Sequence, residues 1–139
     1  MRVVLDANVW VSALIATGGP HRIVTAWMHD ARVFEVVLCP ALIGEVRDVL
    51  SRPKITRLVA DGLAEAFLDD VLRAAGDLYP DPAAGSALTR DADDDYLIAL
   101  AREAGADAIV TGDRDLLDWP EQIPPVMTPA AFETRLSSR

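Results

Sequence analysis

Two rhythms alternate along the chain. Short, unbroken apolar runs are separated by stretches in which apolar residues recur every three or four positions. Arg2–Asp6 is an apolar run closed by an acid and reads as a buried strand. Asn8–Ala16 follows as a short helix, stopped by Thr17-Gly18-Gly19-Pro20, which reads as a plain turn or a rim loop. His21–Ala31 fits a second helix with Ile23, Val24, Trp27 and Met28 on one face. Phe34–Leu38 is rich in β-branched residues and predicts a second strand. Pro40 suits a first helical turn and opens a helix to about Ser51. Ile55–Ala60 and Leu63–Ala75 predict further helices, separated by Asp61-Gly62. Leu78–Ala84 holds two prolines and reads as a loop or short edge strand. Asp94–Ala104 predicts a helix capped by Gly105, and Ala108–Thr111 a third strand before the turn Gly112-Asp113. Pro125–Thr128 and Pro129–Leu136 predict a last strand and a terminal helix. Strands alternating with helices imply an α/β fold, a central parallel sheet with helices on both faces. No repeat or long linker divides it, so residues 1–139 are expected to form one domain.

Composition narrows the class. With 51% hydrophobic and 25% charged residues the chain is globular, not disordered. No apolar run is long enough for a membrane span, and the N-terminus lacks a signal-peptide pattern. The single cysteine, Cys39, excludes an internal disulfide and a cysteine-rich metal site, and reads as a small buried residue. A cytosolic location is the expectation. Trp10, Trp27 and Trp119 read as core or interface aromatics.

Charge changes the picture. The formal net charge is −9, and the segment from Asp91 to Asp118 carries most of it, with nine acids against Arg102 and Arg114. The run Asp91-Ala92-Asp93-Asp94-Asp95 puts four acids ahead of a helix that needs one or two for capping. Close like charges repel by about 1 kcal/mol per pair even in water, so the surplus points to a cation.

Ligands of open parallel sheets bind beyond the carboxyl ends of the strands. Asp6 ends the first strand and Asp113 lies just past the third. Each alone reads more readily as an N-cap for the next helix. Glu45 falls within the apolar arc Leu42, Val46, Val49, Leu50, where a glutamate needs a partner or a path to solvent. Asp6, Glu45, one of Asp93–Asp95, and Asp113 come from four separated segments that can meet at one sheet edge. Clustered carboxylates raise one another's pKa and strain the fold unless a cation relieves them. Oxygen-only ligands suit Mg²⁺ or Mn²⁺. The two histidines, His21 and His29, lie outside these segments and read as surface or helix-end residues. Carboxylate-bound Mg²⁺ is an apparatus for phosphodiester hydrolysis.

Asp6-Ala7-Asn8-Val9-Trp10-Val11-Ser12-Ala13, the Glu45 helix, Asp94-Asp95-Tyr96-Leu97-Ile98-Ala99-Leu100-Ala101 and Ala108-Ile109-Val110-Thr111-Gly112-Asp113-Arg114-Asp115-Leu116 together resemble PIN-domain ribonucleases, most closely the VapC-type toxins of bacterial toxin–antitoxin pairs. The tail Val126-Met127-Thr128-Pro129-Ala130-Ala131-Phe132 is also similar to that subgroup's ending. The resemblance implies a PIN-like three-layer fold. It implies that Asp6, Glu45, Asp95 and Asp113 hold Mg²⁺ or Mn²⁺, with Asp94 as the rival of Asp95. Asn8 and Thr111 match polar supports of the metal site, and Asp115 an accessory acid. It further implies an endoribonuclease acting on RNA, a homodimer, and neutralisation by a small antitoxin.

One feature departs from a nucleic-acid binder. The sequence pI is about 4.5, and the nearest basic patch, Arg47, Arg52, Lys54 and Arg57, reads as a solvated face. Receiver domains and haloacid-dehalogenase-like phosphatases need a late lysine. The only lysine here is Lys54, and Asp6-Ala7-Asn8 is not Asp-x-Asp. A flap-type nuclease needs room for a helical arch. The remaining alternative is a catalytically silent PIN-like module that binds RNA or a partner, for which loss of a catalytic acid would be the signature.

Overall fold

A computed structural model describes residues 1–83 and 92–138, with the backbone alone for 92 and 93. Four strands form one parallel sheet in the order β2-β1-β3-β4. They are β1 (Arg2–Leu5), β2 (Glu35–Val36), β3 (Ala108–Val110) and β4 (Val126–Met127). Val3, Val4 and Leu5 are wholly buried, as are Ala108, Ile109 and Val110. A parallel strand covered on both faces must be apolar at every position, which explains the unbroken runs.

The described helices are α1 (Ala7–Ile15), α2 (Gly19–His29), α3 (Pro40–Leu50), α4 (Pro53–Thr56), α5 (Leu63–Ala75), α6 (Ala92–Glu103), α7 (Arg114–Leu117) and α8 (Pro129–Ser137). Proline occupies the first turn of α2, α3, α4 and α8, where its missing N–H costs nothing. Gly105 ends α6 with a left-handed φ of 66°. Its N–H bonds Arg102 and that of Ala106 bonds Ala101, closing the helix in a Schellman motif.

The structure corrects three expected elements. The Phe34–Leu38 run is buried except at Glu35, but its ladder on β1 is two residues long because β2 is an edge. The helix expected over Ile55–Ala60 is the single turn Pro53–Thr56. It buries no residue, and Leu58 beyond it is 65% exposed, so nothing apolar rewards a longer helix. The expected turn after β3 continues into α7, whose Leu116 is fully buried. Of the stretch expected as a loop or short edge strand, residues 78–83 are irregular, in keeping with the loop reading, and Ala84 lies outside the described residues.

The order of connections positions the site. From β1 the chain leaves toward β2, whereas from β3 it leaves toward β4. Right-handed crossovers in opposite directions put helices on both faces. They also open a crevice between β1 and β3 at their carboxyl ends, the switch point where such sheets bind ligands. Asp6 and Asp113 stand beside that crevice.

Candidate metal centre

Asp6 is the residue after β1 and is fixed on all sides. Its N–H donates to the Val110 carbonyl (3.0 Å), tying it to β3. Its Oδ1 accepts from Ala7 N (2.7 Å) and so caps α1. Its Oδ2 accepts from Thr111 Oγ1 (2.7 Å) and from Asn8 Nδ2 (3.0 Å). Thr111 is fully buried and accepts in turn from Asp113 N (2.9 Å). Asn8 Oδ1 accepts from Gly112 N (3.3 Å). One network thus spans both strand ends. Asp113 Oδ1 accepts from Asp115 N (3.0 Å) and caps α7. Capping and site roles coexist at both aspartates.

Burial pushes the Asp6 carboxyl above its ordinary range, and the charge of Asp113 pushes it further. Hydrogen bonds from Thr111, Ala7 and Asn8 oppose that rise. Ionised Asp6 is thus held in a place that disfavours negative charge, which a cation would reverse.

A cleft of about 350 Å³ opens here. Asp6, Glu45, Asp94 and Asp113 line it, with Asn8, Ser12 and Arg52. Glu45 is half-buried, and its Oε2 accepts from Tyr96 Oη (3.1 Å). Burial and the Glu45 charge raise the Tyr96 phenol far above its ordinary range, so it keeps its proton and donates. One carboxylate oxygen each from Asp94, Asp113 and Asp115 lies within 4.8 Å of the others. The two groupings share Asp94 and Asp113, and Asp115 stands at the exposed margin.

Asp94, not Asp95, stands in the cleft wall. Asp94 is 5% exposed, whereas Asp95 is half-buried and does not line the cleft. Adjacent helix residues point about 100° apart, so the first turn of α6 can aim only one of them inward. Asp91 and the side chain of Asp93 lie outside the described residues. Neither histidine lines the cleft: His21 bonds the Ala13 carbonyl (2.9 Å), and His29 ends α2. Within the basic patch, Arg47 lies 3.9 Å from Glu65 and Arg52 lies 3.3 Å from Asp48. Arg52 departs from the expected solvated face by also reaching the cleft. Sequence reasoning missed Ser12 as a cleft residue and Tyr96 as the partner of Glu45. Tyr96 sits in a stretch that reads as apolar packing, and only the approach of α6 to α3 reveals its hydroxyl's partner.

The donor set is carboxylate, amide and hydroxyl oxygen, with neither sulfur nor imidazole. That set fits a hard divalent cation such as Mg²⁺ or Mn²⁺.

Comparison with known proteins places this geometry in a class. Residues 2–115 match the PIN domain, and the chain belongs to that family, whose members are generally nucleases. A crystal structure of PAE2754 from Pyrobaculum aerophilum superposes with a TM-score of 0.64 over 100% of this chain and 91% of that one. Its 21% sequence identity makes it a likeness of fold alone. No curated protein matches the sequence. No described helix is long and apolar enough to cross a membrane.

Proposed function

We propose that this protein is a Mg²⁺- or Mn²⁺-dependent endoribonuclease and the toxin half of a toxin–antitoxin pair. The observation that carries the reading is the convergence of Asp6, Glu45, Asp94 and Asp113 on one cleft, with oxygens of Asp94, Asp113 and Asp115 within 4.8 Å of one another. Family membership supports nuclease chemistry.

In this reading Asp6, Glu45, Asp94 and Asp113 hold the cation, and Asp115 adds charge at the rim. A divalent ion bound there supplies a water of lowered pKa and a counter-charge for phosphoryl oxygens. Thr111 and Asn8 orient Asp6 by donating to its Oδ2. Arg52 and Ser12, which also line the cleft, present a cation and a hydroxyl to an incoming phosphodiester. The cleft volume falls within the range of ordinary small-ligand pockets, roughly 300–1,000 Å³, which suits one nucleotide. The acidic surface implies weak, salt-sensitive affinity for bare RNA. A homodimer, a small antitoxin partner and a cytosolic location belong to the same reading and rest on the family resemblance.

The test is cleavage of a mixed RNA pool with Mg²⁺ or Mn²⁺ by wild type and by Asp6→Asn. Cleavage by wild type alone is the expected result. Equal cleavage by both points to a contaminant. No cleavage by either, with Mn²⁺ binding intact, favours the silent RNA- or partner-binding module.

A further inference from the structure

We infer that Arg52, Lys54 and Arg57 form the track that holds the RNA strand beside the cleft, with Arg52 exchanging Asp48 for a substrate phosphate. The inference rests on the nuclease reading above and names the surface on which its substrate lies.

Of the described residues that line the cleft, Arg52 is the one base, set against Asp6, Glu45, Asp94 and Asp113. A phosphodiester that enters among carboxylates needs positive charge besides that of the metal, and in this lining Arg52 supplies it. The Arg52 backbone is fixed. Its N–H donates to the Val49 carbonyl (3.2 Å) at the end of α3, and its carbonyl accepts from Ile55 N and Thr56 N (both 2.9 Å) at the start of α4. The side chain is held loosely. It is 61% exposed and meets Asp48 through one nitrogen at 3.3 Å. Exposed pairs of this i,i+4 kind are among the weakest ion pairs. A guanidinium can take a phosphate through two parallel hydrogen bonds, which outcompetes one long contact to Asp48. The charge continues along α4. Lys54 and Arg57 are exposed and three positions apart, so they share one face of that turn. Arg57 Nε donates to the Pro53 carbonyl (3.2 Å), which draws its guanidinium back toward Arg52. Neither forms an ion pair among the described residues. Arg47 is different, for it lies 3.9 Å from Glu65 on α5 and stays outside the track. In a chain of net charge −9, bases left uncompensated beside the cleft favour a polyanion there.

Binding of a short, labelled single-stranded oligouridylate in Mg²⁺, read by fluorescence anisotropy over a series of KCl concentrations, tests this. Where the RNA is cut, the half-saturating protein concentration for single-turnover cleavage takes its place. Each phosphate contact on a single strand contributes about 0.7 to the slope of log affinity against log salt. Arg52→Gln should lower that slope by about 0.7, and Lys54→Gln with Arg57→Gln by about 1.4. Arg32→Gln makes the same charge change beside Met1 and Arg2, at the amino end of the sheet, and should leave the slope unchanged. Asp48→Asn should raise RNA affinity about twofold. Mn²⁺ binding, followed by electron paramagnetic resonance, should persist in every variant. Unchanged slopes in the Arg52 and Lys54/Arg57 variants, or an equal effect of Arg32→Gln, overturn the inference and leave the metal site standing. So does a wild type that binds Mn²⁺ but no RNA. A fall in affinity on Asp48→Asn overturns the exchange with Asp48. If Arg52→Gln abolishes binding of oligoglutamate while RNA binding holds, the surface belongs to an acidic protein partner and the inference fails. A wild type that binds no Mn²⁺ overturns the nuclease reading and the inference with it.

Discussion

At the scale of single residues, the site is defined by which of two neighbouring acids faces inward. Asp94 and Asp95 are indistinguishable by type and differ by one helical step. Asp94→Asn should weaken Mn²⁺ binding by at least the roughly 10–100-fold that even an outer partner of a metal ligand costs. Asp95→Asn should cost clearly less. Parallel Mn²⁺ titrations of the two variants check this, and the reverse ranking would make Asp95 the ligand. Thr111 illustrates a second point. Its hydroxyl donates to Asp6 Oδ2 and accepts from Asp113 N, so one small buried side chain sets the spacing of two acids. A valine there has nearly the same shape but no hydroxyl, and would make neither bond.

At the scale of elements, the C-terminal tail is part of the fold's core and not an appendage. The family match ends at residue 115, yet β4 and α8 lie beyond it. Val126 and Met127 pair with Ile109 and Val110 and so cover the outer side of β3. Phe132 on α8 is fully buried and meets Phe34 edge to face, with ring centroids 5.1 Å apart. Also in the core, Trp10 meets Trp27 at 5.6 Å and donates from Nε1 to the Leu5 carbonyl (3.0 Å), one residue from Asp6. Phe132→Ala should therefore destabilise the protein by about 3–5 kcal/mol, the usual cost of deleting a buried aromatic ring. Urea unfolding checks it, and a loss below about 1 kcal/mol would mean that α8 docks only loosely.

At the scale of the whole molecule, charge couples stability to metal and to pH. Asp6 has a folded-state pKa raised above its ordinary 3.8 by burial and by Asp113. In metal-free protein its contribution is most favourable below that ordinary value and is lost as pH rises through the raised one. A cation binds the ionised form, so protons compete with it. Mg²⁺ at a hundredfold over its dissociation constant should add about 2.7 kcal/mol of stability. That gain should grow with pH across the Asp6 titration and flatten above it. Thermal melts with and without Mg²⁺ at several pH values check this. A gain independent of pH throughout the acid range would mean that Asp6 takes no part in binding.

The sequence by itself determined the order of the strands and the parallel α/β architecture. Unbroken apolar runs and amphipathic stretches are written in local residue order, and a strand buried on both faces has no other way to read. It also placed Asp6 and Asp113 at strand ends, because an acid that closes an apolar run marks the sheet edge. What it left open depends on contacts between distant segments. The choice of Asp94 over Asp95 follows from how α6 is rotated against the sheet. The Tyr96–Glu45 bond follows from the approach of α6 to α3, and the cleft position of Arg52 from the bend between α3 and α4. The short α4 in place of a longer helix follows from the lack of any surface to bury Leu58 against. Those are properties of packing, and packing is decided only when the whole chain has closed around its core.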